Sequence, residues 1–362
     1  MPDQNNQRNT WRKLKRNKAA LFGIIIITLS IFTALFAHLI APDHSPDANR
    51  MILEIGGEKP GYTRQFLMLP KQQRPKSSSI LPQLISGRED EFFYIPITGY
   101  HIKNDSLVVQ KYIDEGFTET IRYPFSFTKT GKNDFLIKRQ TFYLGTDKYG
   151  RDILSRLLVG VRVSLSVGLI TVIISLTIGI VLGSLAGYFR GNTDNAIMWL
   201  INIIWSIPTL LLVFAITLLL GKGYWQVFIA IGLTMWVNVA RIIRGQVMIV
   251  REMEYVEAAK ALGFSNFRII FRHILPNVMG PVLVVAASNF ASAIVIEAGL
   301  SFLGVGVQPP QPSWGLMIKE NYNFIITHNP MLALAPGFAI MLLVLAFNML
   351  GSGLRDALQV KE

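Results

Sequence analysis

The sequence predicts an all-α integral membrane protein with six transmembrane helices and an inserted outer loop or subdomain of β character. Three observations carry this. The 362 residues are 51% hydrophobic and only 16% charged, with a mean hydropathy of +0.39, whereas a soluble globular chain is about one quarter charged. Six apolar runs approach or exceed the roughly 20 residues that a bilayer core demands. Basic residues gather in alternate connections, as the positive-inside rule requires. The formal charge of +12 therefore reads as membrane orientation, and no RNA- or DNA-binding signature accompanies it. Cysteine is absent, which excludes disulfides, thiolate metal sites and a cysteine nucleophile.

Residues 1–20 form a basic cytoplasmic tail carrying Arg8, Arg12, Lys13, Lys15, Arg16 and Lys18. The first span, 21–41, is 21 residues long, beyond the roughly 7–15 of a cleavable signal core, so it reads as an uncleaved helix. Residues 42–142 are an extracytoplasmic insert, mixed in charge and rich in Pro, Gly, Ser and aromatics. Alternation in "DSLVVQKY" (Asp105–Tyr112) and "DFLIKR" (Asp134–Arg139) predicts short strands there.

The core, 143–350, holds five more spans: Val161–Tyr188, Ala196–Leu220, Trp225–Ile243, Met279–Leu303 and Met331–Leu350. A cytoplasmic tail, 351–362, follows, so both termini are cytoplasmic. The connection bearing Arg241, Arg244, Arg251, Lys260, Arg268 and Arg272 lies inside, and the outer loops carry only Lys222 and the Lys319–Glu320 pair. The apolar part of the fourth span has 16 residues before Arg241, so that helix is expected to emerge early with its arginines snorkelling to the headgroups. Gly179, Gly183 and Gly187 share one helical face and let another backbone approach. Pro208 removes a backbone hydrogen bond and should kink the third span.

The segment 251–278 is more than a connector. Tyr255, Ala259 and Leu262, with Ala258 beside them, fall on one helical face, and Glu254, Glu257 and Lys260 lie opposite. Gly263 is placed to end this helix in a left-handed cap, and Ser265 to start the next. There Phe267, Ile270, Phe271 and Ile274 repeat at helical spacing, Arg268 and Arg272 face elsewhere, and Pro276 opens the fifth span. Such an elbow is either an amphipathic helix resting on the inner leaflet or a docking element for a cytoplasmic partner.

"EAAKALG" followed by "HILPNV" resembles the EAA loop of binding-protein-dependent ABC importer permeases. The resemblance implies a type I ABC importer permease fold in which this loop is the coupling helix seated in an ATPase groove. Glu257, Ala258, Ala259, Gly263 and Pro276 hold the matching positions. "LGTDKYGRDILSR" (Leu144–Arg156) and "EAGLSFLGVGVQPPQPSWG" (Glu297–Gly315) are similar to the hallmarks of the C-type subunit of dipeptide/oligopeptide/nickel permeases, with Gly145, Asp147, Gly150, Arg151, Asp152 and Arg156 at the first signature. By the same resemblance the partners are a second permease subunit, two cytoplasmic ATPases that carry ATP and Mg, and an extracytoplasmic solute-binding protein, in the bacterial inner membrane. The insert appears longer than is usual in the family and receives no carry-over.

Both outer stretches also have a reading of their own. Ile153, Leu154, Leu157, Leu158 and Val161 oppose Arg151, Arg156 and Arg162, the pattern of an interfacial helix capped by Asp147 or Asp152. "TDKYGRD" lacks the downstream bidentate glutamate of a calcium loop. Pro309, Pro310 and Pro312 force an extended rim, and Trp314 suits a headgroup boundary.

Glu297 is the acid within an apolar run and so a pathway candidate, with a structural hydrogen bond or ion pair as the alternative. Asn202, Asn238, Asn289 and Asn348 either glue helices or line a path. No catalytic constellation is present: "GKG" at Gly221–Gly223 lacks the spacing of a phosphate loop. His38, His44, His101, His273 and His328 are too scattered for a metal site. The chain is expected to bind no cofactor or metal, to contact lipid and its partner subunits but no nucleic acid, and to be no enzyme. The expected function is the permease half-channel of an ATP-driven importer of peptides or a related solute such as nickel chelates. Its rivals are an ion-coupled secondary transporter using Glu297 and a membrane-anchored binding or signalling protein acting through the insert.

Overall fold

The computed structural model describes residues 11–71, 83–84, 86–103, 106–124, 136–221, 223–327 and 329–358. Arg8, Asp105, Asp134, Lys222 and His328, named above, lie outside them. The helices are α1 Lys18–Ile40, α2 Ile153–Phe189, α3 Gly191–Trp205, α4 Thr209–Leu220, α5 Tyr224–Val250, α6 Glu254–Ala261, α7 Asn266–Leu303, α8 Trp314–Asn321 and α9 Met331–Leu358. Among the described residues α1, α2, α5, α7 and α9 are each long and apolar enough to cross a membrane, and α3 with α4 makes a sixth only as a pair bent by 92°. The kink expected at Pro208 is thus a full break. Pro208 has no N–H to continue the ladder, and α3 ends with the Ser206 N–H donating to the Asn202 and Ile203 carbonyls and the Ile207 N–H to the Ile204 carbonyl.

The chain divides into two compact units. The first comprises residues 1–31, 164–308 and 340–362. Its central contact is the glycine stripe of α2 on α5. A methyl group at Gly183 would lie 2.5 Å from the Ala240 carbonyl oxygen, one at Gly179 2.5 Å from Val239 Cβ, and one at Gly187 2.7 Å from the Arg244 carbonyl oxygen. Only glycine permits this backbone approach, which is the sense in which the sequence read the stripe. The same contact carries α5 past the apolar part of the fourth span. α5 runs ten residues beyond Ala240 because Ile243 and Val247 are buried against α2. Arg244 grips Asp194 bidentately at 2.5 and 2.6 Å, and Arg241 lies 3.5 Å over the Trp205 ring.

The second unit, 32–163 and 309–339, holds a five-stranded antiparallel sheet. Its strands are β1 Tyr62–Pro70, β2 Phe92–Lys103, β3 Ser106–Asp114, β4 Phe117–Pro124 and β5 Ile137–Phe142, in the order β4-β3-β2-β1-β5. The meander β1 to β4 is closed by β5 returning beside β1, with Phe66 opposite Lys138 and Leu67 opposite Ile137. The interior strand β1, between β2 and β5, is covered on both faces. Phe66 packs with Ile52, Ile55, Tyr112 and Phe142, and Leu67 with Ile97, Leu107 and Val109. Two expectations fail in this unit. The interfacial helix over residues 153–161 is simply the start of α2, and Arg156, expected at the surface, is 1% exposed. Trp314 is also buried, its indole N–H donating to the Leu157 carbonyl at 3.0 Å, so it meets protein and not a headgroup boundary.

Candidate functional site

The elbow is built from its two caps. Glu254 and Glu257 occupy the first turn of α6, where carboxylates favour the helix N-terminus. At the other end Gly263 takes φ +74°. Its N–H bonds the Lys260 carbonyl at 2.9 Å and the Phe264 N–H bonds the Ala259 carbonyl at 3.2 Å, which is a Schellman closure. The Ser265 hydroxyl accepts from the Arg268 N–H to start α7. Glycine and serine are therefore where the backbone needs them.

The faces differ from the sequence reading. Val256 and Ala259 point inward, joining Ile269, Ile270, Ile274 and Val278 of α7, Val239, Ile243 and Val247 of α5, and Tyr188 of α2 in one buried cluster. Tyr255 is 43% exposed, Leu262 72%, Phe267 70% and Phe271 50%. On α6 the buried residues are Val256 and Ala259, turned toward α5 and α7, so only Ala259 of the expected face is covered. On α7 Ile270 and Ile274 are buried at a π turn, Ile270–Ile274, while Phe267 and Phe271 stay exposed. The turn precedes Pro276, whose ring cannot accept an ordinary α neighbour four residues back. The helix runs unbroken through Pro276, so the fifth span begins at Asn266 and the expected second amphipathic helix is its first turns. Polar ties fix the elbow further. Tyr188 Oη donates to Asn266 Oδ1 at 2.8 Å, Asn277 Nδ2 to Tyr255 Oη at 2.9 Å, and Arg190 pairs with Glu252 at 2.5 Å. That last hydrogen bond holds the Glu252 carboxyl below the usual carboxylate range. Of the signature residues, Glu257, Ala258 and Gly263 face outward and Ala259 inward.

In the second unit the signature loop closes on itself. Asp147 Oδ1 accepts the N–H groups of Tyr149 (2.9 Å) and Arg151 (3.0 Å), and its Oδ2 takes Arg151 Nε at 2.6 Å. Arg151 reaches on to Glu320 (2.7 Å) and Asn49 (3.1 Å). Arg156 stands 3.6 Å from Glu320 and 4.0 Å from Asp147. Two cations and two anions are thus buried together. Asp152 caps α2 through the Ser155 N–H at 3.0 Å; burial raises its carboxyl above the ordinary value despite that bond. Gly150 lies at φ +72° with its α-carbon hard against the Ile52 carbonyl, which no side chain would allow. Gly145 meets the Glu58 carbonyl in the same way. With both Asp147 oxygens engaged and no cluster of three metal-ligating side chains among the described residues, the loop is a structural knot.

Glu297 is 1% exposed, and its Oε1 accepts from the Ser301 hydroxyl at 2.6 Å, whose oxygen in turn accepts the Val307 N–H at 3.0 Å. The acid thus tethers the chain as it leaves α7, beside the left-handed cap at Gly304. It does not line the cavity of about 500 Å³ walled by the α3–α4 break, α5, α7 and α9. Asn238, Asn289 and Asn348 do line it and Asn202 does not. Sequence reasoning grouped the four asparagines and missed Trp205 of α3 and also Ser288 and Ser292, which a helical wheel of α7 would have placed near Asn289.

A helical membrane protein with an internal polar cavity, no catalytic group and an elbow gripped by two cavity helices belongs to the class of transport subunits. Residues 179–361 match the family described as binding-protein-dependent transport system inner membrane component. Residues 7–54 match the N-terminal TM domain of oligopeptide transport permease C. The chain belongs to this family of ABC importer permeases, and is a transport subunit working in a complex, not an enzyme. It is 44% identical over 219 residues to a dipeptide transport system permease of Alkalihalophilus pseudofirmus, covering 60% of this chain and 72% of that one. It is 40% identical to a glutathione transport system permease of Pectobacterium atrosepticum over 60% of this chain and 72% of that one. It is 39% identical to an oligopeptide transport system permease of Bacillus subtilis over 66% and 78%. A solved inward-facing MetNI methionine ABC transporter aligns over 57% of this chain and 97% of its own, at 19% identity and TM-score 0.46.

Proposed function

We propose that this chain is the C-type half of the membrane pathway of a peptide importer, coupled through the elbow to an ATPase on the cytoplasmic side. The family membership and the peptide substrates named for its relatives support the substrate class. The observation that carries the coupling is the outward face of α6. Ala258 and Leu262 are left uncovered while Val256 and Ala259 lock the same helix to α5 and α7. A partner pushing on that face moves both helices. On this reading the positive tail and the basic elbow share the cytoplasmic side, a second permease completes the pathway, and an extracytoplasmic receptor delivers the solute. Nickel chelates are the less supported cargo, since none of the relatives compared above is named for nickel.

The test is reconstitution. The chain is co-expressed with the second permease, ATPases and receptor encoded beside it, placed in liposomes, and assayed for ATP-dependent uptake of trialanine. Ala258→Trp, on the exposed face, should leave the fold intact and abolish co-purification of the ATPase. Full ATPase retention with undiminished uptake would refute the docking assignment.

A further inference from the structure

Neutral polar groups from three of the spanning helices meet at one place. Asn238 comes from α5, Ser288, Asn289 and Ser292 from α7, and Asn348 from α9, all lining the 500 Å³ cavity. Asn238, Ser288 and Asn348 are exposed. An unpaired amide facing hydrocarbon costs several kcal/mol, so this shared face is wet. At about 30 Å³ per molecule the space admits roughly 16 waters, enough for a solute that keeps part of its hydration.

The chemistry of the lining is selective by what it omits. Every lining side chain is uncharged; the nearby Arg241 is not among them and stacks on the Trp205 ring at 3.5 Å. Trp205 N–H is a donor only, so its 3.1 Å bond must end on the Asn238 carbonyl oxygen, which leaves the Asn238 NH₂ for a solute acceptor. Asn289 uses its NH₂ on the Ser175 hydroxyl at 3.4 Å, and its carbonyl oxygen is left to accept. The cavity therefore pairs both halves of a neutral amide and offers no counter-charge to a carboxylate or an ammonium.

We propose that this cavity is a transit subsite for the main-chain amides of the transported peptide, with Asn238, Asn289 and Asn348 as its hydrogen-bonding residues and Trp205 as the wall that orients Asn238. This rests on the peptide-import reading. The subsite grips what all peptides share and is indifferent to side-chain charge, so selection among peptides falls to other components.

The absence of cysteine makes the test direct. In the complete reconstituted transporter, single variants Ser288→Cys, Ser292→Cys and Asn348→Cys should react with a membrane-impermeant methanethiosulfonate, and trialanine should slow the reaction. Leu219→Cys, on the 87% exposed position of α4, should not react. Asn238→Ala and Asn348→Ala should each raise the half-saturating trialanine concentration about 3- to 10-fold, the range of one net hydrogen bond. They should also shrink the wild-type preference for trialanine over its analogue N-methylated at the central peptide bond. The receptor is the same in every arm, so the variant-to-wild-type ratio isolates the permease's share. The relative rates of trialanine, trilysine and triglutamate should be unmoved by either variant. Unreactive cysteines, or asparagine variants with wild-type constants for both probes, would overturn the subsite while import itself stands. A wild-type complex that imports neither probe would overturn the peptide-import reading and the ligand class with it.

Discussion

Asp147→Asn tests the buried charge knot. The carboxylate is 1% exposed, binds Arg151 Nε at 2.6 Å and lies 4.0 Å from Arg156, itself 1% exposed, with Glu320 as the other anion in ion-pair contact with both arginines. Removing one partner of a buried pair costs about 3–5 kcal/mol because it strands the opposing charge. Asparagine keeps the oxygen that accepts the Tyr149 and Arg151 N–H groups, so about 3 kcal/mol is expected. In thermal unfolding of the detergent-purified chain this lowers the apparent midpoint by roughly 6–12 °C. Arg156→Met removes a guanidinium whose nitrogens find no hydrogen bond and whose ion contacts are 3.6 and 4.0 Å, so it should cost only about 1–2 kcal/mol. The double variant leaves Arg151 and Glu320, 2.7 Å apart, as a balanced pair. It should therefore be more stable than the sum of the singles by about 1 kcal/mol or more. Strict additivity, or an Asp147→Asn chain within about 0.5 kcal/mol of wild type, would refute the claim that the loop is held by charge balance.

Other outcomes follow from the same geometry. Gly183→Ala places a methyl 2.5 Å from the Ala240 carbonyl oxygen and should destabilise by about 1–3 kcal/mol. Gly245→Ala, with nothing near its α-carbon, should be neutral or stabilising by up to about 1 kcal/mol; unfolding midpoints of the two separate packing from propensity. Gly263→Ala should cost about 1 kcal/mol at φ +74° and Gly263→Asn less, read as graded loss of ATP-coupled uptake at unchanged expression. Glu252 has its carboxyl lowered by the Arg190 hydrogen bond. Its contribution is complete above the ordinary value of 4.5 and lost as pH falls through the lowered one. Glu252→Gln should erase that acid-limb dependence of elbow proteolysis.

What could be read from residue order alone follows from how local the physics is. The glycine stripe at 179, 183 and 187 was legible because its requirement is steric and periodic. The cap pair Gly263 and Ser265 was legible because each acts on its own backbone. The β character of the insert showed only in β3 and β5. β1 places Phe66 and Leu67 in different clusters on its two faces, so its sequence has no alternation to detect. Arg156 was assigned to a surface because its partner Glu320 is 164 positions away in the chain and leaves no local trace. The faces of the elbow were misassigned because the covered side of α6 is decided by Ile269 and Ile274 of α7 and Ile243 and Val247 of α5, contacts that the local period of α6 does not carry.

The elbow and the cavity share their helices, and this bears on how a cytoplasmic motor could act. On α5, Val239 and Ile243 anchor the elbow while Asn238 and Met235 line the cavity, an axial offset of about 1.5 Å per residue. On α7, Ile274 and Val278 are anchors and Ser288 to Ile296 are lining, about 15 Å farther along one uninterrupted helix. A displacement of α6 therefore reaches the lining through rigid helices and the packed cluster of Val256 and Ala259, without a flexible hinge between. Coupling of this kind needs two packings of α5 and α7 that differ in their fit to the partner. At the contact of Gly183 and Gly187 with α5 the two backbones meet closely, with Ile243 and Val247 of α5 seated over the glycines. Under the proposed function, substitutions in the Val256–Ile269–Ile274 cluster should uncouple ATP hydrolysis from uptake while substitutions at Asn238 or Asn348 alter uptake alone. An uptake defect of the same kind from both sets, with hydrolysis still coupled, would place the transmission elsewhere.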